Sequence, residues 1–204
     1  QRSDEWYEAR RGKITASSVY KIMGVKGLGQ TGLTYLKEVA SEHFVKPEQG
    51  YESFAMKQGT ELEPMAFACI KQAIGQSFLD LKEAPFIPYG EYFGASPDGL
   101  IYSNETLSAV LEIKCPMPQT FFKNRIDNEI KSEYIWQMEM QMLCTGVNDA
   151  FYFEYCIVEG KEVAFLQPYI SDKTKRSLLI DRLAEAETIL KSYIDKIHES
   201  LQKN

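Results

Sequence analysis

The sequence predicts an α/β fold in which a mixed central β-sheet is flanked by helices. Segments with apolar residues at every third or fourth position, typical of helices, lie in the N-terminal third and at the C-terminal end of the chain. Two pairs of strand-like apolar segments lie between them, each pair around a short polar turn. A further predicted helix at residues 133–143, followed by Gly146, separates the two pairs. Strands and helices that alternate in this way indicate an α/β domain.

The first 75 residues predict helices that are separated by glycines. Residues 24–32 are rich in glycine and are expected to form a mobile loop. Gly59 is expected to interrupt the last of these helices, and Gly75 is expected to end it. The predicted helices span residues 4–10, 16–23, 33–44 and 54–74.

Strands are predicted in the middle of the chain and again after the helix at residues 133–143. Each of the two apolar pairs is expected to form an antiparallel hairpin, the first around Ser103-Asn104-Glu105 and the second around Glu159-Gly160-Lys161. An earlier strand, with its approach, is expected to precede the first hairpin. The predicted strands span residues 78–87, 100–102, 107–113, 150–158 and 162–167.

The segment from Ser171 onward predicts one long amphipathic helix. Its apolar residues share one face, which we expect to pack on the protein's own sheet rather than on a second subunit. That stripe consists of Leu179, Leu183, Ala186, Leu190, Ile194, Ile197 and Leu201.

The composition is that of an ordinary globular protein. The 204 residues are 44% hydrophobic and 25% charged, enough for a sizeable core, and we expect residues 1–204 to form a single domain. No apolar stretch reaches the length of a membrane span, and the N-terminal residues lack the apolar run of a signal peptide. The sequence therefore predicts a cytoplasmic protein without a membrane partner.

Charge is distributed unevenly along the chain. The net charge of −6 argues against general adhesion to DNA, because phosphate contacts need Lys and Arg. Residues 1–27, however, contain six Lys or Arg and three Asp or Glu, which makes this segment +3 and leaves −9 on the remainder. The asymmetry predicts a confined cationic site in the N-terminal segment.

The four cysteines are predicted to be reduced and buried. The sequence contains no Cys-x-x-Cys pair, and its cysteine spacings do not suggest an iron–sulfur cluster. These residues are Cys69, Cys115, Cys144 and Cys156.

Asp98, Glu112 and Lys114 are predicted to form a hydrolytic metal site. Asp98 precedes the first hairpin, and the other two lie near the end of its second strand. Because side chains alternate along a strand, Glu112 and Lys114 share one face while Ile113 points into the core. Mg²⁺ prefers carboxylate and phosphate oxygens, and an ammonium group beside them can position a water molecule.

Simpler interpretations exist for each part of this site. Pro-Asp-Gly is common in turns, and Glu-x-Lys on a strand is often a solvated face. The hairpin, however, would return Asp98 to Glu112, and charges on a largely apolar strand need partners or a metal. The combination therefore favours a nuclease site.

Three strings, in this order, resemble those of the lambda exonuclease, or YqaJ-like viral recombinase, family of the PD-(D/E)xK nuclease superfamily. They are Ile-Thr-Ala-Ser at residues 14–17, Ser-Pro-Asp-Gly-Leu at 96–100 and Leu-Glu-Ile-Lys-Cys-Pro at 111–116. The resemblance covers most of the chain, from Trp6 to the helix that carries Gln137. It implies a restriction-endonuclease-like core and a Mg²⁺-dependent exonuclease that degrades one strand of duplex DNA from its 5′ end. The products would be 5′-mononucleotides and a 3′ single-stranded tail.

The resemblance also implies a set of metal ligands for one or two Mg²⁺ ions, with Mn²⁺ as a substitute. The set comprises Glu63, Asp98, Glu112 and the main-chain carbonyl of Ile113. Glu63 has a second interpretation, because Thr60 to Glu63 also fits a capping box at a helix start.

Gln137 aligns with the family's glutamine, which implies a contact with the scissile phosphate or with water and a place in the catalytic set beside Asp98, Glu112 and Lys114. Gln141 lies one helical turn later, and either amide also fits a simple surface position.

Arg10, Ser17 and Ser96 align with family residues that hold the 5′-terminal phosphate. A guanidinium pairs bidentately with phosphate, and hydroxyls add hydrogen bonds. Ser17 also fits an N-cap, and Arg11 competes with Arg10, whose spacing matches the family better. Lys26, in the glycine-rich loop, is a candidate for separating the strands at the entrance.

The resemblance implies a ring-shaped homotrimer around duplex DNA, a single-strand annealing protein as partner and a phage or prophage origin in a bacterial host. Two alternatives remain open. A restriction-type or junction-cleaving endonuclease on the same core would cut closed circular DNA. A non-catalytic DNA-end binding module would act without Mg²⁺.

Overall fold

The computed structural model describes residues 3–47, 54–75 and 79–203, and these residues form two β-sheets with helices packed around them. The α-helices are α1 (Asp4–Arg10), α2 (Gly29–Ser41), α3 (Phe54–Ile74), α4 (Pro118–Asp127), α5 (Ser132–Thr145) and α6 (Lys173–Gln202), and a 3₁₀ helix spans Ala16–Ile22. The strands are β1 (Ile14–Thr15), β2 (Leu79–Lys82), β3 (Ile87–Tyr89), β4 (Phe93–Ala95), β5 (Gly99–Ser103), β6 (Thr106–Lys114), β7 (Asp149–Val158) and β8 (Lys161–Ile170).

The larger sheet has five strands in the order β2-β5-β6-β7-β8 and is mixed, as predicted. Among the strand pairs of the described residues in this sheet, only β6–β7 is parallel, and α4 and α5 form the crossover that a parallel pair requires. Residues of α3 pack in one apolar cluster with this sheet, and residues of α5 pack in another. The α/β class predicted from the sequence is confirmed.

The smaller sheet, in the order β1-β4-β3, ties the N-terminal segment to the rest of the protein. β1 runs parallel to β4, with Ile14 opposite Phe93 and Thr15 opposite Gly94. This pairing places the chain around residue 10 beside the segment that follows β4, where Ser96 and Asp98 lie.

Both predicted hairpins form. Asn104 and Glu105, between β5 and β6, have φ values of 48° and 64°, as a tight two-residue turn between twisted strands requires. Glu159 and Gly160 play the same part between β7 and β8, with φ values of 49° and 76°. β8 continues three residues beyond its predicted end and includes Pro168, which an edge strand tolerates.

Two predictions about helix boundaries are wrong, and one helix was not predicted. α2 begins at Gly29 rather than at residue 33, so the second half of the glycine-rich segment is helical. Gly32 is there for packing: a Cβ atom on it would lie 3.2 Å from the carbonyl oxygen of Lys21 in the 3₁₀ helix. α3 runs through Gly59 without interruption, since one glycine costs only about 1 kcal/mol in a helix of 21 residues. α4 was not predicted, although Pro118 at its start is a helix-start signal.

Two further predictions concern the ends of elements. The strand expected at 78–87 is shorter and occupies Leu79–Lys82, while Phe78 lies outside the described residues. The segment expected as a helix at 16–23 is a 3₁₀ helix that ends at Ile22.

α6 is the predicted amphipathic helix, and its stripe packs within the protein. Leu179, Leu183, Ala186 and Leu190 are buried, but α6 packs on α2 and α5, in one apolar cluster with the 3₁₀ helix, rather than on the central sheet. Leu201 is 61% exposed, so the buried stripe ends before it.

Glu139, fully buried on α5, fixes the start of α6. Its Oε1 accepts hydrogen bonds from the hydroxyl of Tyr169 at 2.7 Å and from the amide of Asp172 at 2.8 Å. Its Oε2 accepts from Ser171 at 2.8 Å and from Arg176 at 3.4 Å. Asp172 in turn accepts from the amides of the first turn of α6, as an N-cap does.

Among the described residues, no helix combines the length and apolarity that crossing a bilayer requires. The four cysteines are free; Cys156 is buried and the other three are half-buried.

Candidate active site

The first hairpin brings Asp98 to the strand that carries Glu112. Asp98 immediately precedes β5, and its amide donates to the carbonyl oxygen of Leu111 at 3.0 Å. Its Oδ2 accepts a hydrogen bond from the amide of Ile113 at 2.6 Å. Asp98 is therefore fixed to the end of β6 by both its backbone and its side chain.

Glu112 is 2% exposed, and its carboxylate is enclosed by three donors. Lys114 donates to Oε1 at 2.5 Å, and Gln137 donates to the same oxygen at 2.7 Å. Gln141 donates to Oε2 at 2.5 Å. Two of these donors come from α5, which packs on the face of β6 that Glu112 and Lys114 share, while Ile113 packs with α3 on the opposite face. The alternation expected from the sequence is confirmed.

Lys114 is held in its charged form. Burial lowers the pKa of its ammonium group, but the charges of Glu112 and Asp98 and the hydrogen bond to Glu112 together raise it above the ordinary value. Nζ also donates to Oε1 of Gln137 at 3.2 Å and lies 4.7 Å from the centre of the Tyr134 ring. A fixed ammonium group beside two carboxylates is suited to orienting a water molecule.

At Asp98 the surroundings disfavour the charged form instead. Burial, followed by the negative charges of Glu112 and Glu63, raises the pKa of this carboxyl well above its usual range, although Lys114 and the Ile113 amide oppose the shift. A carboxyl group whose pKa is raised by neighbouring carboxylates indicates a place where a cation would relieve repulsion.

A cavity of about 280 Å³ lies between Asp98 and α3. Glu63 from α3, Glu83 from the segment after β2, Asp98 and Ile113 all line it. The capping-box interpretation of Glu63 is wrong, because Thr60 lies inside α3 and not at its start. Glu63 therefore faces the cavity from within a continuous helix.

The donors around this cavity fit Mg²⁺. Carboxylate and carbonyl oxygens are the hard ligands that this ion prefers. In the described part of the chain, no three acidic, His or Cys side chains close a ligand cage by themselves. Mg²⁺ does not require such a cage, since it keeps several waters and takes only one or two carboxylates from a protein.

The predicted phosphate-binding residues also meet. Nη1 of Arg10 donates to Oγ of Ser96 at 3.1 Å, and Nη2 donates to Oγ of Ser17 and Oγ1 of Thr15, both at 3.3 Å. The indole of Trp6 donates to Oγ of Ser96 at 3.1 Å, and the guanidinium of Arg10 lies 4.2 Å from the centre of the Trp6 ring. The N-cap interpretation of Ser17 is wrong, because Thr15 occupies the cap position.

The turn after α1 keeps Arg10 in this position. Gly12 has a φ of 66°, and a Cβ atom there would lie 2.7 Å from Nε2 of His43. Its amide donates to Glu42 at 2.9 Å, and its carbonyl oxygen lies 3.0 Å from the same ring nitrogen of His43. The end of α2 therefore holds the turn, and only glycine fits it.

Two other basic residues lie outside this cluster. Arg11 forms an ion pair with Glu8 at 3.2 Å, which leaves Arg10 as the arginine of the cluster. Lys26 is exposed in the turn before α2 and, among the described residues, makes no hydrogen bond or ion pair with the predicted site.

Sequence reasoning missed four residues of the site: Trp6, Thr15, Glu83 and Gln141. Gln141 had a signal, since residues four apart on a helix share a face and Gln137 was already a candidate. Glu83 had none, because its place on the cavity depends on the pairing of β2 with β5.

This chain is similar to solved structures over most of its length. An alkaline exonuclease, LHK-Exo from Laribacter hongkongensis, has a structure that is similar to this chain with a TM-score of 0.83 and 28% identity, covering 98% of this chain and 99% of that one. A structure of LHK-Exo in complex with dAMP has a TM-score of 0.82 at the same identity and coverage. A phage-related exonuclease from Haemophilus somnus 129PT, 16% identical over 96% of this chain and 99% of that one, has a TM-score of 0.63 and shows likeness of fold alone.

The fold is restriction-endonuclease-like, as the resemblance implied. A search of curated proteins gave no match. The family description of the YqaJ-like viral recombinase domain matches residues 5–148, which include the residues around Asp98 and Glu112 and those around Arg10. The chain therefore belongs to the YqaJ-like viral recombinase family.

Proposed function

We propose that this protein is a Mg²⁺-dependent 5′→3′ exonuclease of linear double-stranded DNA, which releases 5′-mononucleotides and leaves a 3′ single-stranded tail. The family and the likeness to an alkaline exonuclease support DNA exonuclease activity. The observation that carries the finer proposal is the short link between the two clusters. Ser96 belongs to the group of side chains around Arg10, here called the cationic cluster. Asp98 belongs with Glu112 and Glu63 to the acidic cluster, and only Pro97 separates Ser96 from Asp98.

This link supports cleavage one nucleotide from an end. Two residues of chain span at most about 7 Å, so a phosphate at Arg10 and a phosphate at Asp98 would be close neighbours on one strand. Arg10, Ser17 and Ser96 would anchor the terminal 5′-phosphate through charge-assisted hydrogen bonds. The dAMP bound by LHK-Exo is a mononucleotide, the class of product that this geometry supports here.

The residues of the acidic cluster supply the rest of the reaction. Asp98, Glu112, Glu63 and the carbonyl of Ile113 would hold Mg²⁺, which would neutralise phosphate charge and make a water molecule more acidic. Lys114 would orient that water and balance the negative charge that develops in the transition state. Gln137, which contacts both Glu112 and Lys114, would fix the positions of these two side chains relative to each other.

We also propose a homotrimer that encircles DNA, a single-strand annealing protein as partner, and a phage or prophage recombination system as the source. The family supports the recombination role. Exposed apolar side chains such as Phe122 and Ile126 on α4, the latter 83% exposed, offer surface for subunit contacts. Analytical ultracentrifugation tests the trimer, and a monomer at micromolar concentration would refute it.

The activity is tested with end-labelled linear duplex, bearing either 5′-phosphate or 5′-hydroxyl, beside a closed circular duplex. We expect Mg²⁺-dependent release of mononucleotides from the linear DNA, faster with the 5′-phosphate, and an intact circle. Cleavage of the circle would identify an endonuclease. Binding of ends without hydrolysis at any Mg²⁺ concentration would identify a binding module.

A further inference from the structure

The ring of Tyr134, in the first turn of α5, lies beside the ammonium group of Lys114. Nζ of Lys114 is 4.7 Å from the centre of that ring. An ammonium group within about 6 Å of a ring centre is attracted by the negative face of the ring, and more strongly where water is excluded. Tyr134 is half-buried and packs against the apolar cluster that β5, β6 and β7 share, so water is partly excluded here.

A chain of contacts that leads to α4 holds Tyr134 in place. Its ring stacks on that of Tyr152, with ring centres 5.8 Å apart and planes inclined at 24°. The hydroxyl of Tyr152 donates to Oε1 of Glu154 at 2.8 Å. Glu154 is 1% exposed and also accepts hydrogen bonds from Asn124 at 2.6 Å and from Arg125 at 2.7 Å. The ring is therefore fixed without any help from a substrate.

Lys114 has one N–H for which this ring does not compete. An ammonium group has three N–H donors. Two of them contact Oε1 of Glu112 and Oε1 of Gln137. In the described part of the chain, no third oxygen accepts a hydrogen bond from Nζ. Because the face of the Tyr134 ring attracts the charge but offers no oxygen, the third N–H stays available to a water molecule.

We propose that Tyr134 is a positioning residue whose ring face holds the Lys114 ammonium group so that its third N–H is directed to the attacking water. Without the ring, only the contacts with Glu112 and Gln137 would hold Nζ at the end of a flexible four-carbon stem. The hydroxyl of Tyr134 has no part in this role. The inference rests on the proposed function, because it assumes that Lys114 orients the water that attacks phosphorus.

The first test varies the charge on the ring face at nearly constant shape. Tyr134→Phe keeps the ring, and its single-turnover rate on linear duplex should stay within about twofold of wild type. Increasingly fluorinated phenylalanines at position 134 should then lower that rate step by step, because fluorine withdraws electron density from the ring face. We expect the most fluorinated ring to be about tenfold slower than Tyr134→Phe. The dissociation constant for DNA ends, measured by fluorescence anisotropy, should stay unchanged across the series.

The second test needs no reaction. In the protein without metal or DNA, the ring current of Tyr134 should move the NMR resonance of the Lys114 ε-methylene group upfield of the ordinary lysine position. Lys114→Met assigns that resonance. Tyr134→Phe should keep the upfield shift, and Tyr134→Leu should remove it.

Lys131→Met is the matched control. Lys131 is exposed, and its Nζ lies 5.7 Å from the centre of the same ring. The substitution removes that contact and should keep both the wild-type cleavage rate and the Lys114 resonance. A loss of rate equal to that of the most fluorinated ring would mean that the ring acts through Lys131, which would overturn the inference.

Equal rates across the fluorinated series, or a Lys114 resonance at the ordinary position in the wild type, would also overturn it. A slow Tyr134→Phe variant would assign the role to the hydroxyl and would have the same consequence. Failure of the proposed function gives a different result. The wild-type chain would then release no nucleotides from linear duplex at any Mg²⁺ concentration, while the Lys114 resonance would still be shifted by the ring.

Discussion

Arg10 and Ser96 are separated by 86 positions in the sequence, yet Nη1 of Arg10 donates a hydrogen bond to Oγ of Ser96 over 3.1 Å. The pairing of β1 with β4 produces this contact, and Ser96 in turn lies two residues before Asp98. In the proposed reaction, recognition of an end and hydrolysis next to it would therefore share one short segment of chain.

We expect Arg10→Gln to remove the preference for a 5′-phosphate. The variant loses the bidentate donor of the cationic cluster but leaves Asp98, Glu112 and Lys114 in place. Its kcat/KM on 5′-phosphorylated duplex should fall at least about tenfold, towards the value for 5′-hydroxyl duplex. Steady-state kinetics on both substrates measure this effect. Arg11→Gln is the control, since Arg11 pairs with Glu8, and an equal loss there would contradict a specific role for Arg10.

Lys114→Met should abolish cleavage while sparing DNA-end binding. The substitution removes the ammonium group that contacts Glu112 and Gln137 but keeps much of the side-chain volume. The single-turnover rate should fall at least about 100-fold, the scale of losing one transition-state donor. Fluorescence anisotropy with end-labelled duplex should give an unchanged dissociation constant. Turnover at the rate of the exposed-site control Lys123→Met would exclude the proposed role.

Asp98→Asn should produce a protein that is more stable but inactive. The folded-state pKa of Asp98 lies above its unfolded value, so its favourable contribution is complete below the unfolded pKa and is lost as pH rises through the folded pKa. At neutral pH and without divalent cation, the neutral amide should add roughly 0.5–2 kcal/mol to the free energy of unfolding. Urea denaturation between pH 4 and pH 8 measures this gain, which should shrink towards low pH. A gain that is absent at pH 8, or that also occurs in Asp149→Asn at an exposed position, would contradict the repulsion.

Glu63→Gln should weaken Mg²⁺ without unfolding α3. Glu63 lines the cavity from inside a continuous helix, so its loss removes an oxygen ligand and not a cap. The Mg²⁺ concentration for half-maximal activity should rise about tenfold while helical content by circular dichroism is unchanged. Glu61→Gln, at an exposed position on the same helix, should behave as wild type. An unchanged Mg²⁺ dependence in the folded variant would show that Glu63 is not a ligand.

Cys115 and Cys144 should resist alkylation in the native protein. Burial raises the pKa of each thiol to about 12 from the ordinary value of 9.0. At pH 8 the thiolate fraction should therefore be about 1000-fold lower than in the unfolded chain. Labelling with iodoacetamide, read by mass spectrometry with and without urea, measures the ratio. Equal native and unfolded rates would show that these thiols are solvated.

The sequence was sufficient to predict those parts of the site that depend on local pattern. Alternation along β6 puts Glu112 and Lys114 on one face, and the turn at Asn104 and Glu105 returns the chain to Asp98. Each of these features is decided within about fifteen residues. The roles of the site residues stay predictions.

Features that depend on packing between distant segments could not be predicted in the same way. Gln141 resembled a surface amide until α5 was seen to place it on β6, and Glu83 reaches the cavity only through the β2–β5 pairing. Gly32 lies in a segment whose glycine content is typical of a loop, but it allows α2 to pack closely on the 3₁₀ helix. In each case the local signal was compatible with a simpler structure, and tertiary contacts decided the outcome.

Glu139 lies between Gln137 and Gln141 in sequence and points away from them, into the junction of β8 and α6. α5 is thus held on two opposite faces. One face carries the amides of Gln137 and Gln141 that bind Glu112, and the other carries Glu139, which binds the junction of β8 and α6. Loss of the Glu139 contacts, through heat or through a shortened C-terminal helix, would let α5 rotate about its axis. Activity would then decline at a lower temperature than the one at which the sheet unfolds. The contacts of Glu139 at the junction of β8 and α6, rather than the active site, would set the upper working temperature.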